Sequence, residues 1–210
     1  AKENKLTTQE GHTAGYKKIK ECVEWAKDAG VKDMIVYAFS IENWDRSKME
    51  VSFIMKLFNN MVTTEAEELK KQNIRIHFIG QIYKLSKKLK ENIIKLEKET
   101  ACNKAFTLVI AISYGGRAEI IEAAKEIIGK KVKASNLNEH VMERHLWTKD
   151  IPDPDLIIRT GGEKRLSGFL TWQSVYSELF FSDTMWPAFT KREFNKILSD
   201  FVKRNRRYGK

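Results

Sequence analysis

A short run of mixed polar residues follows the first apolar stretch of the chain. Ser40, Glu42, Asn43, Trp44 and Arg46 supply a hydroxyl, a carboxylate, a carboxamide, an indole and a guanidinium within seven residues. In open α/β sheets, ligands bind beyond the carboxyl ends of the strands, so a run in this position is a candidate ligand site. A capped loop covered by one tryptophan is the structural alternative, and the sequence leaves it open.

A basic loop, residues 159–167, follows the fourth apolar stretch. It contains three cations, two glycines and two hydroxyls, including Arg159, Arg165 and Ser167. Arginine pairs bidentately with phosphate oxygens, and glycines let the backbone approach a ligand, so the loop suits a diphosphate. It matches neither the P-loop pattern nor the dinucleotide-binding pattern. The alternative is a solvated basic loop.

Three weaker candidates lie elsewhere. His12, which we expect just before the first helix, is flanked by Gly11 and Gly15, which would let a ligand reach it. Two glycines precede Arg117 at an expected helix start, where backbone N–H groups can bind an anion. Glu178 is a carboxylate in an aromatic-rich stretch and could hold magnesium near a diphosphate. A structural histidine, an ordinary turn and a surface carboxylate are the respective alternatives.

Apolar stretches of two kinds alternate and position these candidates. Short stretches rich in β-branched or aromatic residues predict buried strands at residues 34–39, 74–79, 106–112 and 156–158. Helical spacing predicts helices at residues 16–29, 47–72, 86–100, 117–128 and 190–206. Such alternation predicts an α/β fold with a mostly parallel sheet covered by helices, and we expect a single domain over residues 1–210.

The helix predicted from Ser47 has an unusually wide apolar face. Its apolar residues cover an arc of roughly 200°, about twice the width that a core-facing helix needs. Such a helix must bury two sides. It packs between the sheet and a subunit interface, or one side lines an apolar ligand cavity.

The composition excludes several classes of protein. The 210 residues are 42% hydrophobic with a formal net charge of +10, which fits a domain with a real core. No apolar run reaches the roughly 18 residues of a membrane-spanning helix. Cys22 and Cys102 match no metal or redox spacing, which predicts free thiols in a reducing compartment. The basic charge predicts an anionic partner, and six of the ten net charges lie in residues 191–210.

Six motifs occur in order along essentially the whole chain. They are G-H-T-A-G (residues 11–15), Y-A-F-S-I-E-N-W-D-R (37–46), I-S-Y-G-G-R (112–117), D-P-D-L-I-I-R-T-G-G-E-K-R-L-S (153–167), L-F-F-S-D-T-M-W-P (179–187) and R-R-Y-G (206–209). In this order and spacing they resemble the cis-prenyltransferases of the undecaprenyl diphosphate synthase type.

The resemblance implies a fold and an activity. The expected fold is one domain with a six-stranded, mostly parallel sheet and an apolar tunnel. The expected activity condenses isopentenyl diphosphate with an allylic diphosphate such as farnesyl diphosphate, with Mg²⁺ as cofactor, to make a long-chain polyprenyl diphosphate. The resemblance further implies a cytoplasmic homodimer that delivers a cell-wall or glycan lipid carrier to the membrane surface and binds no nucleic acid.

The resemblance also assigns roles to particular residues. The allylic and catalytic region would include His12, Ser40, Glu42, Asn43, Trp44 and Arg46. The family pattern links Asn43 to proton removal, but an amide is a poor base, so we expect it to position a phosphate or water. Trp44 would shape the pocket.

Further roles fall on the second half of the chain. Arg159, Arg165 and Ser167 would bind the isopentenyl diphosphate, and Glu178 would bind magnesium. Near the end of the chain, Arg207 and Gly209 resemble a family motif that reaches the partner subunit's site.

The chain departs from the family pattern at two places. The motif D-G-N-x-R, which carries the metal-binding aspartate, is absent, and Ala1 aligns with the alanine that follows it. We therefore expect an upstream segment that contains the first strand and that aspartate. Thr8 stands where bacterial members often have a phosphate-binding arginine.

Two alternative functions stay open at this point. One is a weakly active or non-catalytic subunit of a heteromeric prenyltransferase, although such partners usually lose Asn43, Arg46, Glu178 and the basic loop. The other is a basic nucleic-acid-binding protein, although the basic terminal run lacks interleaved aromatics apart from Tyr208.

Overall fold

The computed structural model describes residues 7–64 and 66–204 of the chain. Its helices and strands follow in the order α1 (Thr8–Asp28), β1 (Asp33–Ser40), α2 (Lys48–Thr64), α3 (Ala66–Lys71), β2 (Ile74–Ile79), α4 (Lys87–Thr100), β3 (Phe106–Tyr114), α5 (Gly116–Gly129), α6 (Glu139–Glu143), β4 (Leu156–Arg159), β5 (Glu178–Phe181) and α7 (Lys191–Val202). None of these described helices is both long and apolar enough to span a membrane. The chain divides into two compact units.

The larger unit, residues 32–152 and 168–172, is built on a three-stranded parallel sheet. The strand order is β1-β3-β2, so the strongly apolar β3 lies in the middle and is almost entirely buried. A run of apolar residues without alternation is typical of such a strand, which has both faces covered. Ser40 pairs with Tyr114 in the register, so the carboxyl ends of β1 and β3 meet at the same edge of the sheet.

The wide apolar face of helix α2 is buried in its centre and half-buried on its flank. Ile54, Phe58 and Met61 are buried, whereas Phe53 and Leu57 on the flank are half-buried. The helix begins after Ser47, whose Oγ accepts a hydrogen bond from the backbone N–H of Glu50 at 3.3 Å. The structure describes the predicted helix 47–72 as α2 and α3, with residue 65 outside the described part.

The smaller unit comprises residues 7–31, 153–167 and 173–204 of the described chain. Its strands β4 and β5 form a two-stranded parallel sheet. Trp25 of α1 packs against Phe189 and Phe194 at ring-centroid distances of 6.3 and 6.1 Å. This aromatic cluster joins α1 to the start of α7.

The structure bears out the α/β class and the parallel pairing but not every prediction. The described residues form five strands in sheets of three and two, so the six-stranded sheet is not confirmed. The expected single domain stays a prediction.

The expected position of His12 before the first helix is wrong. The helix α1 starts at Thr8, because Thr7 and Glu10 form a capping box in which Glu10 N donates to Thr7 Oγ1 at 3.2 Å. His12 therefore lies within the helix.

Candidate functional site

The turn after β1 holds Asn43 in a fixed orientation. Residues Ile41–Asp45 form a 3₁₀ turn, and the backbone N–H of Ser40 donates to Asn43 Oδ1 at 3.0 Å. Since only the oxygen of a carboxamide can accept from an N–H group, this contact also fixes which side-chain atom is which. The Asn43 oxygen is thereby engaged, and its NH₂ group, which has no acceptor among the described residues, can donate to a ligand.

Trp44 links this turn to the end of β3. Its indole Nε1 donates to Ser113 Oγ at 2.8 Å, and its ring packs edge-on against Phe39 at 5.1 Å. A Cβ added to Gly115 would lie 3.1 Å from Ile41 Cδ1, which shows how closely the two segments approach. The structure thus brings together the predicted segments 40–46 and 113–117.

Two charged residues of the turn, Arg46 and Glu42, differ in their surroundings. Arg46 Nη1 donates to Glu50 Oε1 of helix α2 at 2.7 Å, which orients the guanidinium near the turn. Glu42 is exposed. Because Arg46 and Glu50 are both accessible in part, an anionic ligand can compete for the guanidinium.

The glycines at the start of α5 serve packing. Gly116 N donates to Gly168 O at 2.7 Å, and a Cβ on Gly116 would lie 2.3 Å from Thr171 Oγ1. The expectation that this helix start offers its backbone to an anion is therefore wrong for the Gly116 N–H, which already has an acceptor. Glycine is required here by close approach of the chain.

A buried network behind the β3 end was not visible in the sequence. Tyr114 donates to Glu119 Oε2 at 2.6 Å, and Thr148 donates to Glu119 Oε1 from both its N–H and its hydroxyl at 3.1 Å. Burial, followed by the charge of Glu119, raises the pKa of Tyr114 well above its usual range, so the phenol stays protonated. The network fixes the segment that carries Ser113.

The basic loop of the smaller unit brings its three predicted residues together. Arg159 Nη1 donates to Ser167 Oγ at 2.9 Å and to the backbone carbonyl of Arg165. The Arg165 side chain is exposed and pairs with Glu163. The other guanidinium nitrogens of Arg159 have no acceptor among the described residues. The loop therefore presents a preorganised arginine fork at the carboxyl end of β4.

Gly161 and Gly162 shape this loop without offering their N–H groups. They donate to Thr184 O and Ser182 O, both at 2.9 Å, and have φ angles of 92° and 77°. Such positive φ angles suit glycine. These two N–H groups therefore already have acceptors, and the expected approach of the backbone to a diphosphate stays a prediction.

Glu178, the expected magnesium ligand, begins β5 and already has a cationic partner. Arg204 Nη1 donates to Glu178 Oε2 at 2.6 Å, and its guanidinium lies 3.9 Å from the centre of the Phe180 ring. Within residues 7–64 and 66–204, no group of three or more acidic, histidine or cysteine side chains could hold a metal. Magnesium is commonly held by one or two carboxylates plus substrate phosphates, and Glu178 fits that donor set through its other oxygen.

Gly15, one of the two glycines that flank His12, has a packing role that the sequence did not reveal. Trp186 Nε1 donates to Gly15 O at 2.8 Å, and a Cβ on Gly15 would lie 3.3 Å from that indole ring. Gly15 therefore admits Trp186, so the expectation that it opens a path to the half-buried His12 is not supported. The predicted residues Arg207 and Gly209 lie outside the described part of the chain.

Comparison with known proteins adds a whole-chain likeness to this geometry. A family described as "Putative undecaprenyl diphosphate synthase" matches residues 1–209. The chain is 42% identical to a farnesyl-diphosphate-specific ditrans,polycis-undecaprenyl-diphosphate synthase of Haemophilus influenzae, over 95% of this chain and 85% of that protein. It is also 42% identical to a geranylgeranyl-diphosphate-specific tritrans,polycis-undecaprenyl-diphosphate synthase of Picrophilus torridus, over 97% and 82%.

A solved structure is similar as well. Lavandulyl diphosphate synthase from Lavandula x intermedia, in complex with dimethylallyl diphosphate, matches with a TM-score of 0.94 and 33% identity. The match covers 100% of this chain and 92% of that chain. The names of these similar proteins thus mention allylic diphosphates of different lengths.

Proposed function

The chain belongs to the undecaprenyl diphosphate synthase family of prenyltransferases, and we propose that it condenses isopentenyl diphosphate with an allylic diphosphate to make a long-chain polyprenyl diphosphate. The names of its relatives favour farnesyl or geranylgeranyl diphosphate as the allylic substrate. They favour an active enzyme over a non-catalytic subunit, and nothing among them points to a nucleic-acid-binding protein.

The observation that carries this proposal is the arginine fork of the basic loop. Arg159 is held by Ser167 Oγ and the Arg165 carbonyl through one nitrogen, while the rest of its guanidinium is available. A fixed fork loses little conformational freedom when it binds a diphosphate. We assign Arg159, Arg165 and Ser167 to the isopentenyl diphosphate.

The turn after β1 suits the allylic substrate. Asn43 retains its NH₂ donors, Arg46 supplies a positive charge, and Trp44 supplies an apolar wall fixed by Ser113. In the reaction, the carbon–oxygen bond of the allylic diphosphate breaks and inorganic diphosphate leaves. The allylic carbon forms a carbon–carbon bond with the isopentenyl unit, which then loses a proton. The NH₂ group of Asn43 would orient a phosphate oxygen or a water molecule that accepts this proton. We include His12, Ser40 and Glu42 in the same region only on the family resemblance.

Magnesium completes the proposal. When bound, it would neutralise charge that develops on the departing diphosphate. Glu178 would hold it through the carboxylate oxygen that Arg204 does not occupy.

Assembly and location follow from the same assignment. We propose a homodimer in which Arg207 and Gly209 contribute to the partner subunit's site. We also propose that this cytoplasmic enzyme releases its product at the membrane surface. A chain with a net charge of +10 is attracted to an anionic leaflet, which supports this last step.

The test is product analysis. Full-length protein is incubated with labelled isopentenyl diphosphate, Mg²⁺ and farnesyl, geranylgeranyl or dimethylallyl diphosphate, and the extracted products are separated by chain length. We expect a labelled series longer than the primer with at least one of the two longer primers. Absence of any elongated product with all three would refute the proposed function.

A further inference from the structure

We propose that Ser113 is a positioning residue for the turn that carries Asn43 and Trp44, and through it for the allylic diphosphate. The inference rests on the proposed function for the identity of the substrate. It assigns to Ser113 no contact with that substrate.

Ser113 and Trp44 are 69 positions apart in the sequence, yet the indole Nε1 donates to Ser113 Oγ at 2.8 Å. An indole nitrogen can only donate, so the hydroxyl oxygen must be the acceptor. Ser113 is 0% exposed, which keeps water from replacing that oxygen easily. When a donor that is shielded from water loses its acceptor, the free-energy cost of its desolvation is no longer offset.

The backbone of Ser113 is held in an unusual conformation. Its φ angle is 50°, in the left-handed region that serine rarely adopts. Unusual backbone angles persist where the surrounding structure determines them. Here a Cβ on Gly80, the residue that follows β2, would lie 2.1 Å from Ile112 O, so the chain at the end of β2 lies very close to this segment.

Ser113 therefore joins the ends of two strands. Its carbonyl accepts from Gln81 N at 3.0 Å, on the side of β2, and its hydroxyl accepts from Trp44, on the side of β1. The left-handed conformation allows both contacts from one residue. Trp44 is thereby fixed between Ser113 and Phe39.

The consequence for Asn43 is direct, because it precedes Trp44 in the same short turn. Two hydrogen bonds hold the turn. Ser40 N–H donates to Asn43 Oδ1 at one end, and the Trp44 indole donates to Ser113 Oγ at the other. Loss of the hydrogen bond between Trp44 and Ser113 would let the turn rotate and change the direction of the Asn43 NH₂ group. Small displacements of a positioning group lower reaction rates strongly.

The experiment compares Ser113→Gly, Trp44→Phe and the double variant. Glycine suits a φ angle of 50° and removes the Ser113 side chain with its acceptor, and phenylalanine keeps an aromatic ring but removes the donor. We expect each single variant to lower kcat/KM for the allylic diphosphate about tenfold, roughly what the loss of one partly buried hydrogen bond corresponds to. The KM for isopentenyl diphosphate should stay unchanged, and the double variant should lose no more than either single variant.

A second readout does not depend on turnover. The chain has five tryptophans, and the Trp44 indole N–H signal can be assigned by its absence from the NMR spectrum of Trp44→Phe. In Ser113→Gly that proton should exchange with solvent about tenfold faster, because its buried acceptor is gone.

The outcomes separate the two proposals. Wild-type protein that never elongates a primer would refute the proposed function. Elongation by the wild-type protein would uphold that function. The role of Ser113 would be overturned by any of three results: additive losses in the double variant, equal changes in the KM values for the two substrates, or unchanged exchange of the Trp44 indole proton in Ser113→Gly.

Discussion

The backbone N–H of Ser40 donates a hydrogen bond to Asn43 Oδ1 at 3.0 Å. This contact engages one of the two lone pairs of the carboxamide oxygen, the only atom of the Asn43 side chain that can accept a hydrogen bond. It leaves the NH₂ group, which can only donate. Asn43 is thus built to orient an oxygen of a phosphate or of water.

Replacement of Asn43 by aspartate distinguishes a donor from a base. Asn43→Asp keeps an oxygen for the Ser40 N–H but replaces the NH₂ donor with a negative charge near an anionic substrate. We expect kcat/KM to fall about 100-fold or more, as it does when one oriented donor is removed from a site. Steady-state kinetics beside Asn43→Ala provide the measurement. An aspartate variant with wild-type or higher activity would identify this position as the base.

Arg159 should determine the affinity for isopentenyl diphosphate. Arg159→Lys keeps the charge but loses the fork that holds Ser167 and Arg165, so we expect KM for isopentenyl diphosphate to rise about tenfold or more. Arg165→Ala should raise it less, because that side chain is exposed and paired with Glu163. The matched control is Arg192→Ala, which removes an exposed cation of helix α7. Unchanged KM in both loop variants would refute the assigned clamp.

Glu178 should determine the requirement for magnesium. Glu178→Gln keeps the shape of the side chain but removes the anionic oxygen ligand, so we expect the half-saturating Mg²⁺ concentration to rise about tenfold. Titration of EDTA-treated enzyme with Mg²⁺ measures the change, and binding of Mn²⁺ followed by electron paramagnetic resonance measures it without turnover. Identical metal affinity in the variant would remove Glu178 from the metal site.

The half-buried side of helix α2 should limit product length. Leu57 lies beside the buried stripe of this helix. We propose that it borders the apolar tunnel that the family resemblance implies, which a larger side chain would narrow. We expect Leu57→Trp to give shorter products, detected by chromatography of the polyprenyl chains. Met49→Trp is the control, because Met49 is 73% exposed. Products of unchanged length from Leu57→Trp would place that side chain away from any tunnel.

Much of the site could be predicted because strand ends are readable in the sequence. The turn at Ser40 and the loop at Arg159 both follow short apolar strands, and the structure places each at a strand's carboxyl end. Contacts distant in sequence could not be read in this way. The pairing of Trp44 with Ser113 spans 69 positions and depends on strand order and on a positive φ angle.

The glycines show where spacing misleads. Gly15 and Gly116 looked like openings for a ligand, but they admit Trp186 and Thr171, respectively. A sequence cannot distinguish the two uses, since both require the absence of a side chain. The start of α1 was readable, however, from the Thr7-x-x-Glu10 spacing, which places His12 inside the helix.

The most direct test of the account is the ratio of inorganic diphosphate released to labelled isopentenyl units incorporated by the full-length protein. Farnesyl diphosphate, isopentenyl diphosphate and Mg²⁺ are supplied together, and each is then omitted in turn. We predict one diphosphate for each isopentenyl unit and no release when any component is missing. Equal diphosphate release without isopentenyl diphosphate would show hydrolysis in place of prenyl transfer and would contradict the account.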